Sequence, residues 1–416
     1  MTTQSESGAS KPPLISGVMW LFLFAMILAN IGGNMYQPLL PLYLKDLGAG
    51  VTQIGLFFTL AQIIPLTLQI LGGWISDSIG RLHAIAFGSV AGVVAYLTMI
   101  LSPTWEWLLL GSAFAAIGGA LVAPSFDAFI AENSDVANRA RVFGITQALF
   151  MIVGVVGPVL GGFLADERSF KFMLIVAGVF YFMATAIRIG MARRASQRRE
   201  ARSQRLSLSG LKSNMSTMFG MVVAGGVVSW ILITDGVRDT SFALSMNLLP
   251  VYMQQFGELN LKQIGVMNSV FGLFMMLTTI PAGWLADKKG ERVGIVVAFI
   301  LLGFAMLVIV TMPFQSVWWY ALGWALAGMG IGLATPAYQS LISKVVPKAV
   351  RGTAFGLFST SLGLVSLPAP WIGGQLWAQI GPRIPFLITG IISFLCAIPA
   401  WFKFKLSEKD QNHTAE

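Results

Sequence analysis

Three charges interrupt an otherwise apolar run at Trp230-Ile231-Leu232-Ile233-Thr234-Asp235-Gly236-Val237-Arg238-Asp239-Thr240. On a helix, Asp235 shares a face with Arg238 at i,i+3 and with Asp239 at i,i+4. Each charge would cost a few kcal/mol at the centre of a bilayer, so the three must pair and face a cavity. One guanidinium against two carboxylates leaves one acid without a full partner. That acid is a candidate proton site, and Arg238 a candidate receiver for an anionic substrate. A purely structural ion triad is the alternative reading.

A second set of polar groups lies in the first half of the chain. Asn30, Asn34, Tyr36 and Gln37 cluster beside Gly32 and Gly33, and Asp127 precedes Glu132 by about one and a half turns. Polar side chains at such depth line a bundle interior or hydrogen-bond between helices, and both readings stay open for the amides. Nothing points to catalysis. The two histidines are His83 and His413, and the single cysteine is Cys396, so neither a metal-ligand cluster nor a disulfide is expected. No nucleophile stands near a base in the pattern an enzyme needs, and no cofactor is implied.

The elements that carry these residues are membrane helices. Of 416 residues 56% are hydrophobic and only 11% charged, far from the quarter expected of a soluble domain. Twelve apolar stretches are each long enough to cross about 30 Å of hydrocarbon, among them 53–76, 83–101, 218–253 and 353–378. Most of the 27 Lys and Arg fall on one side of this arrangement. Only Lys45, Arg168, Lys171, Lys262 and Arg383 fall on the other, with Arg238 inside a span. The excess of cations predicts that both termini are cytoplasmic, in a multi-pass protein of the inner or plasma membrane. The polar first fifteen residues lack a secretory signal, so the first span is expected to stay uncleaved. The net charge of +9 reports this topology rather than a nucleic-acid partner.

The chain repeats itself. Gly73-Trp74-Ile75-Ser76-Asp77-Ser78-Ile79-Gly80-Arg81 returns 210 residues later as Gly283-Trp284-Leu285-Ala286-Asp287-Lys288-Lys289-Gly290-Glu291, a charged hairpin turn after the second span of each half. Leu40-Pro41-Leu42-Tyr43 likewise returns as Leu249-Pro250-Val251-Tyr252, and this offset sets Asn30 against Asp239. Arg81 and Glu132 occupy the places of Glu291 and Lys344 with both signs reversed, as contacting pairs would. Gly157-Pro158-Val159-Leu160-Gly161-Gly162 matches Ala369-Pro370-Trp371-Ile372-Gly373-Gly374; its small residues predict close helix packing and its proline a bend. The organisation expected is therefore an N-terminal six-helix half at 1–192, an arginine-rich cytoplasmic linker at 193–214 and a C-terminal half at 215–416. The fold class is an all-α integral membrane protein, with twelve transmembrane helices as two parallel six-helix repeats around a central cavity.

Twelve spans in two parallel repeats, with this turn in each, resemble the major facilitator superfamily of secondary transporters across nearly the whole chain. The family pattern Gly-x-Leu-Ala-Asp-Arg-x-Gly-Arg-Lys is met at Gly73, Ile75, Ser76, Asp77, Gly80 and Arg81, and departed from at Ser78 and Leu82, where basic residues are usual. The resemblance implies a conformational latch at Gly73, Asp77, Gly80, Arg81 and Glu132, with Asp287, Glu291 and Lys344 as its second-half counterpart. The segment Gly157, Pro158, Gly161, Gly162 resembles the span-five motif of the drug-proton antiporter branch, although the glycine expected four residues earlier is Val153, with Gly154 one place late. These resemblances imply a monomeric, non-enzymatic, proton-coupled exporter of multidrug or small amphipathic substrates working by rocker-switch alternating access. Asn30, Asn34, Gln37, Asp127 and Arg238 would line its cavity, and Asp235 and Asp239 would couple protons. A proton-coupled symporter importing a sugar, organic anion or other small metabolite is the alternative. In either case the partners are a small molecule, protons and the lipid bilayer.

Overall fold

The computed structural model describes residues 15–135, 138–196, 227–311, 316–345 and 363–405; within these ranges the side chains of 69–79, 195, 196, 228 and 287 are not described. The described chain is helical throughout. Twelve helices run in order: α1 (Gly17–Asp46), α2 (Val51–Ile79), α3 (Arg81–Leu101), α4 (Trp107–Glu132), α5 (Arg139–Glu167), α6 (Phe170–Ser196), α7 (Val227–Ser245, continued at Leu249–Gln255), α8 (Leu261–Lys289), α9 (Glu291–Thr311), α10 (Val317–Val345), α11 (Ala369–Gln379) and α12 (Ile384–Lys403). Among the described residues, ten are long and apolar enough to cross a membrane. A helix satisfies its own backbone polar groups, which is the condition for surviving in hydrocarbon.

The internal repeat is visible as shared local geometry. α1 tightens into a 3₁₀ turn at Gln37–Leu39 and resumes at Leu40–Asp46, while α7 does the same at Met246–Leu248 and Leu249–Gln255. In both, the repeated proline, Pro41 or Pro250, sits in the first turn of the resumed helix, where its missing N–H costs nothing.

The hairpin turns are tighter than the sequence suggests. α2 runs on to Ile79 and α3 starts at Arg81, so the connection is Gly80 alone, at φ +90°; Gly290 plays the same part at φ +83°. The Gly73–Asp77 stretch is therefore the last turns of a helix rather than a loop. Only glycine adopts that backbone cheaply, and everything before it has no reason to leave the helix.

The six helices of each half pack in one pattern. α1 lies on α5 and α6, α3 on α4 and α6, and α2 on α4; α7 lies on α11 and α12, α9 on α10 and α12, and α8 on α10. The halves meet through α5 against α8 and α2 against α11, the same pair with the halves exchanged. These seams are built from backbone. A Cβ on Gly265 would lie 2.4 Å from Pro158 O, and one on Gly55 only 2.3 Å from Pro370 O. Hydrogen bonds cross at the same level: Ser269 Oγ donates to Val155 O at 2.6 Å, Trp371 N to Thr59 Oγ1 at 3.2 Å, and Lys45 Nζ to Gln254 Oε1 at 2.8 Å.

The hydrophobic core follows the seams. On the face opposite the termini one continuous cluster joins both halves, with Met35, Leu39 and Phe57 from the first and Leu248, Tyr252 and Ile264 from the second. Towards the terminal face the core divides into one cluster around Phe22, Phe126 and Phe129 and another around Phe299, Tyr338 and Phe404. Among the described residues the halves share one core away from the termini, and two distinct clusters lie towards them.

Because the seam at Gly265 abuts backbone that cannot step aside, Gly265→Val is expected to destabilise the purified protein by about 1–3 kcal/mol. Gly144→Ala, where an added Cβ meets nothing within 4 Å, is expected to leave thermal unfolding unchanged. Equal melting temperatures for the two variants would show that the seam is not tightly packed.

Candidate functional site

The α7 charges converge on one guanidinium. Arg238 Nη2 lies 2.5 Å from Asp235 Oδ1 and 2.6 Å from Asp239 Oδ1, and Nε makes a second contact to Asp239 Oδ1 at 3.1 Å. The two acids are not served alike. Asp239 receives two aligned hydrogen bonds and is 37% exposed, whereas Asp235 is 14% exposed and its Oδ1 has close ionic contact but no aligned donor. One guanidinium reaches both acids because i,i+3 and i+1 neighbours fall within its span.

The triad is held from α10 and α12. Arg238 Cζ stands 5.3 Å from the centroid of the Tyr338 ring on α10, an attraction that depends on the positive charge. Tyr338 itself packs edge-on to Phe299 and Phe404, and its hydroxyl is buried. From α12, Thr389 Oγ1 lies 2.5 Å from Ser241 O and 2.9 Å from Ser245 Oγ, anchoring α7 one turn beyond Arg238. Aromatic residues at helical spacing on α10 read as core, so the sequence carried no sign that Tyr338 meets the arginine.

The first-half candidates are not gathered in this way. Asn30 Nδ2 donates to Met26 O and Asn34 Nδ2 to Asn30 O, each at 2.9 Å, so both amide nitrogens are spent on their own helix. Gln37 is exposed at the 3₁₀ turn, and Asp127 is exposed on α4 with no ion pair among the described residues. One cation was misplaced. Arg188, counted with the surface cations, is 4% exposed between α6 and α3, donating through Nη1 to Ser89 Oγ at 2.9 Å, with no carboxylate beside it among the described residues. Its position three residues before the span's end hid it, because apolar runs do not reveal where a helix becomes buried by neighbours.

At the terminal face Arg81 Nε lies 3.1 Å from Glu132 Oε1, and Lys344 Nζ 2.5 Å from Glu291 Oε1. Here the halves differ: Glu132 is 54% exposed, while Glu291 is 5% exposed and also receives the Ser340 hydroxyl at 2.8 Å. The side chains of Gly73, Asp77 and Asp287 lie outside what is described. In α5, Gly157 and Gly161 face α1, where a Cβ would come within 2.5 Å of Asn34 Cβ and 2.0 Å of Met35 O; Gly162 faces Leu261 O of α8. Gly373 and Gly374 repeat this against Leu244 and Thr52. Removing Lys344 leaves a buried carboxylate, so Lys344→Ala is expected to cost about 1–3 kcal/mol, and Arg81→Ala less than about 1. Calorimetric unfolding that ranked them the other way would contradict the burial of Glu291.

The likeness to known proteins agrees in extent with this architecture. The family model of the Major Facilitator Superfamily matches residues 22–234 and 231–416. The multidrug resistance protein MdtG of Proteus mirabilis is 24% identical over 411 residues, covering 94% of this chain and 96% of the relative. The class H tetracycline resistance protein of Pasteurella multocida is 25% identical over 389 residues, covering 92% and 95%. Among solved structures, a POT family transporter in complex with 5-aminolevulinic acid superposes with a TM-score of 0.74 at 16% identity, covering 92% of this chain and 94% of that one, a likeness of fold alone. A family model that spans both halves, on a fold of twelve helices packed twice in one pattern, establishes that this chain belongs to the Major Facilitator Superfamily of membrane transporters.

Proposed function

We propose that the protein is a proton-coupled exporter of amphipathic or hydrophobic small molecules. The observation that carries this reading is the unequal triad of α7, in which one buried cation serves two acids and leaves Asp235 without an aligned donor. A proton on Asp235 would cancel the charge that is least satisfied and leave Arg238 to Asp239. Loss of that proton would bring Arg238 back to both acids. Either step changes how α7 is held against Tyr338 on α10, which gives protonation a mechanical consequence. The named relatives concerned with multidrug and tetracycline resistance support export over import. Import of an anion is weakened by the same geometry, since Arg238 is engaged by two carboxylates within 2.6 Å.

Alternating access then consists of a rocking of the halves about the glycine seams. With the cation-rich terminal face taken as cytoplasmic, the division of the described core into two clusters towards that face supports an inward-facing reading, with substrate entering from the cytosol or the inner leaflet. Asn30, Asn34, Gln37 and Asp127 are proposed to line the first-half wall of the path. Asp77, Arg81 and Glu132, with Asp287, Glu291 and Lys344, are proposed as the latch that closes that face in the outward state. The linker from 193 to 214, mostly outside the described residues, would serve only to allow the movement.

Proteoliposomes test the coupling. Movement of tetracycline or ethidium driven by an imposed pH gradient is expected to be abolished by Asp235→Asn, with exchange in the absence of a gradient retained, and reduced by Asp239→Asn. Wild-type accumulation in both single variants and in the double variant would make the triad structural. For the latch, Arg81→Glu is expected to slow transport several-fold and the swap Arg81→Glu with Glu132→Arg to recover most of it. A swap no better than the single change would remove the pair from the mechanism.

A further inference from the structure

A groove of about 480 Å³ runs down the outside of the first half between α3 and α6, close to the terminal face. It is lined by Ala86, Phe87, Val90, Ile189 and Ala192, with His83 and Arg193 as its polar groups. It faces away from the partner half: Val90 is among the exposed apolar residues, and α3 and α6 pack on α1 and α4 of their own half. An apolar channel ending in hydrogen-bond donors and a fixed cation at the level of the membrane interface has the chemistry of an acyl chain joined to an anionic phosphate.

The internal repeat supplies an independent comparison. α9 and α12 form the corresponding cleft of the second half, and there Trp401 of α12 meets Arg292 of α9. Gly178 and Gly390 occupy equivalent places, beside Tyr96 and Met306, and the same offset sets Ile189 against Trp401. Arg292, at the start of α9, stands 4.5 Å from the centroid of the Trp401 ring and bridges that cleft. In the first half an isoleucine replaces the tryptophan, and no such cation lies over it among the described residues. Beneath the open groove, Arg188 adds a buried positive charge that no carboxylate in the described residues offsets, held to Ser89 beside Val90.

We propose that the α3/α6 groove is a binding site for one anionic phospholipid, its phosphate held by His83 and Arg193 and an acyl chain laid over Ile189 and Ala192. The site does not depend on the transport reading. It leaves the first half bound to a lipid at a place where the second half carries its own Trp401–Arg292 contact.

Native mass spectrometry of the delipidated full-length protein tests this with phosphatidylglycerol, phosphatidylcholine of the same chains, and inorganic phosphate as probes. Phosphatidylglycerol is expected to give a retained single adduct and phosphatidylcholine none above background. Arg193→Ala should weaken the adduct about fivefold and His83→Ala with Arg193→Ala further. Ile189→Trp, or the milder Ile189→Phe, fills the channel without touching charge and should abolish retention. Equal retention of the two lipids would overturn the proposal. So would wild-type retention in both Ile189 variants, which would mean a merely cationic surface. Displacement of the lipid by inorganic phosphate at matching concentration would identify a free-anion site instead.

Discussion

The closeness of backbone to backbone at two glycine seams is the constraint on which the rest of this structure depends. Lipid provides little hydrophobic drive for one helix to prefer another, so helices hold together where small residues let their main chains touch. Gly162 and Gly265 face each other across α5 and α8, and Gly55 and Gly374 take part in the same contact across α2 and α11. Both seams lie away from the termini, and there the apolar core is continuous through the halves. The division of that core towards the terminal face is the other consequence.

The same glycines tie the seam to the helices that carry the polar groups. On α5, Gly157 and Gly161 lie against Asn34 and Met35 of α1, while Gly162 lies against α8. On α11, Gly373 lies against Leu244 of α7, between Ser241 and Ser245, which Thr389 anchors, and Gly374 against α2. Movement at either seam therefore reaches α1 or α7 directly, through contacts too short to absorb it. What α1 and α7 present differs, since the amides of α1 bond to their own helix whereas α7 carries a shared cation that a proton can unbalance. The repeat preserves the mechanical part and has let the chemical part diverge.

What could be read from the sequence follows from which physical signals are local. Span number, the two repeats, the seam motif and the sign reversal between Arg81 with Glu132 and Glu291 with Lys344 are matters of composition and register, and the contacts lie where that register puts them. The isolation of Asp235, Arg238 and Asp239 in an apolar helix was equally legible. Two kinds of information were not. The extent of each helix depends on where a positive φ is required, so a nine-residue charged turn shrank to Gly80 and Gly290. The partners of a side chain depend on packing between distant segments, so Tyr338 beside Arg238 and the burial of Arg188 against Ser89 carried no signal in their own stretches.

The two terminal-face pairs show how a conserved arrangement of charges can perform unequal work. Arg81 and Glu132 meet at a partly exposed surface, their side chains 24% and 54% exposed, where an ion pair contributes about 1 kcal/mol or less. Glu291 is enclosed, bonded to both Lys344 and Ser340, and its release would expose a buried carboxylate to the loss of its partners. The first pair is thus the more easily broken, and the second ties α9 to α10. That division matches the core, where α9 and α10 stay packed around Phe299 and Tyr338 beside the triad. Under the proposed coupling, rigidity near the charges of α7 and looseness at the first-half turn are complementary requirements, because a proton on Asp235 would move the second half only if that half did not yield internally.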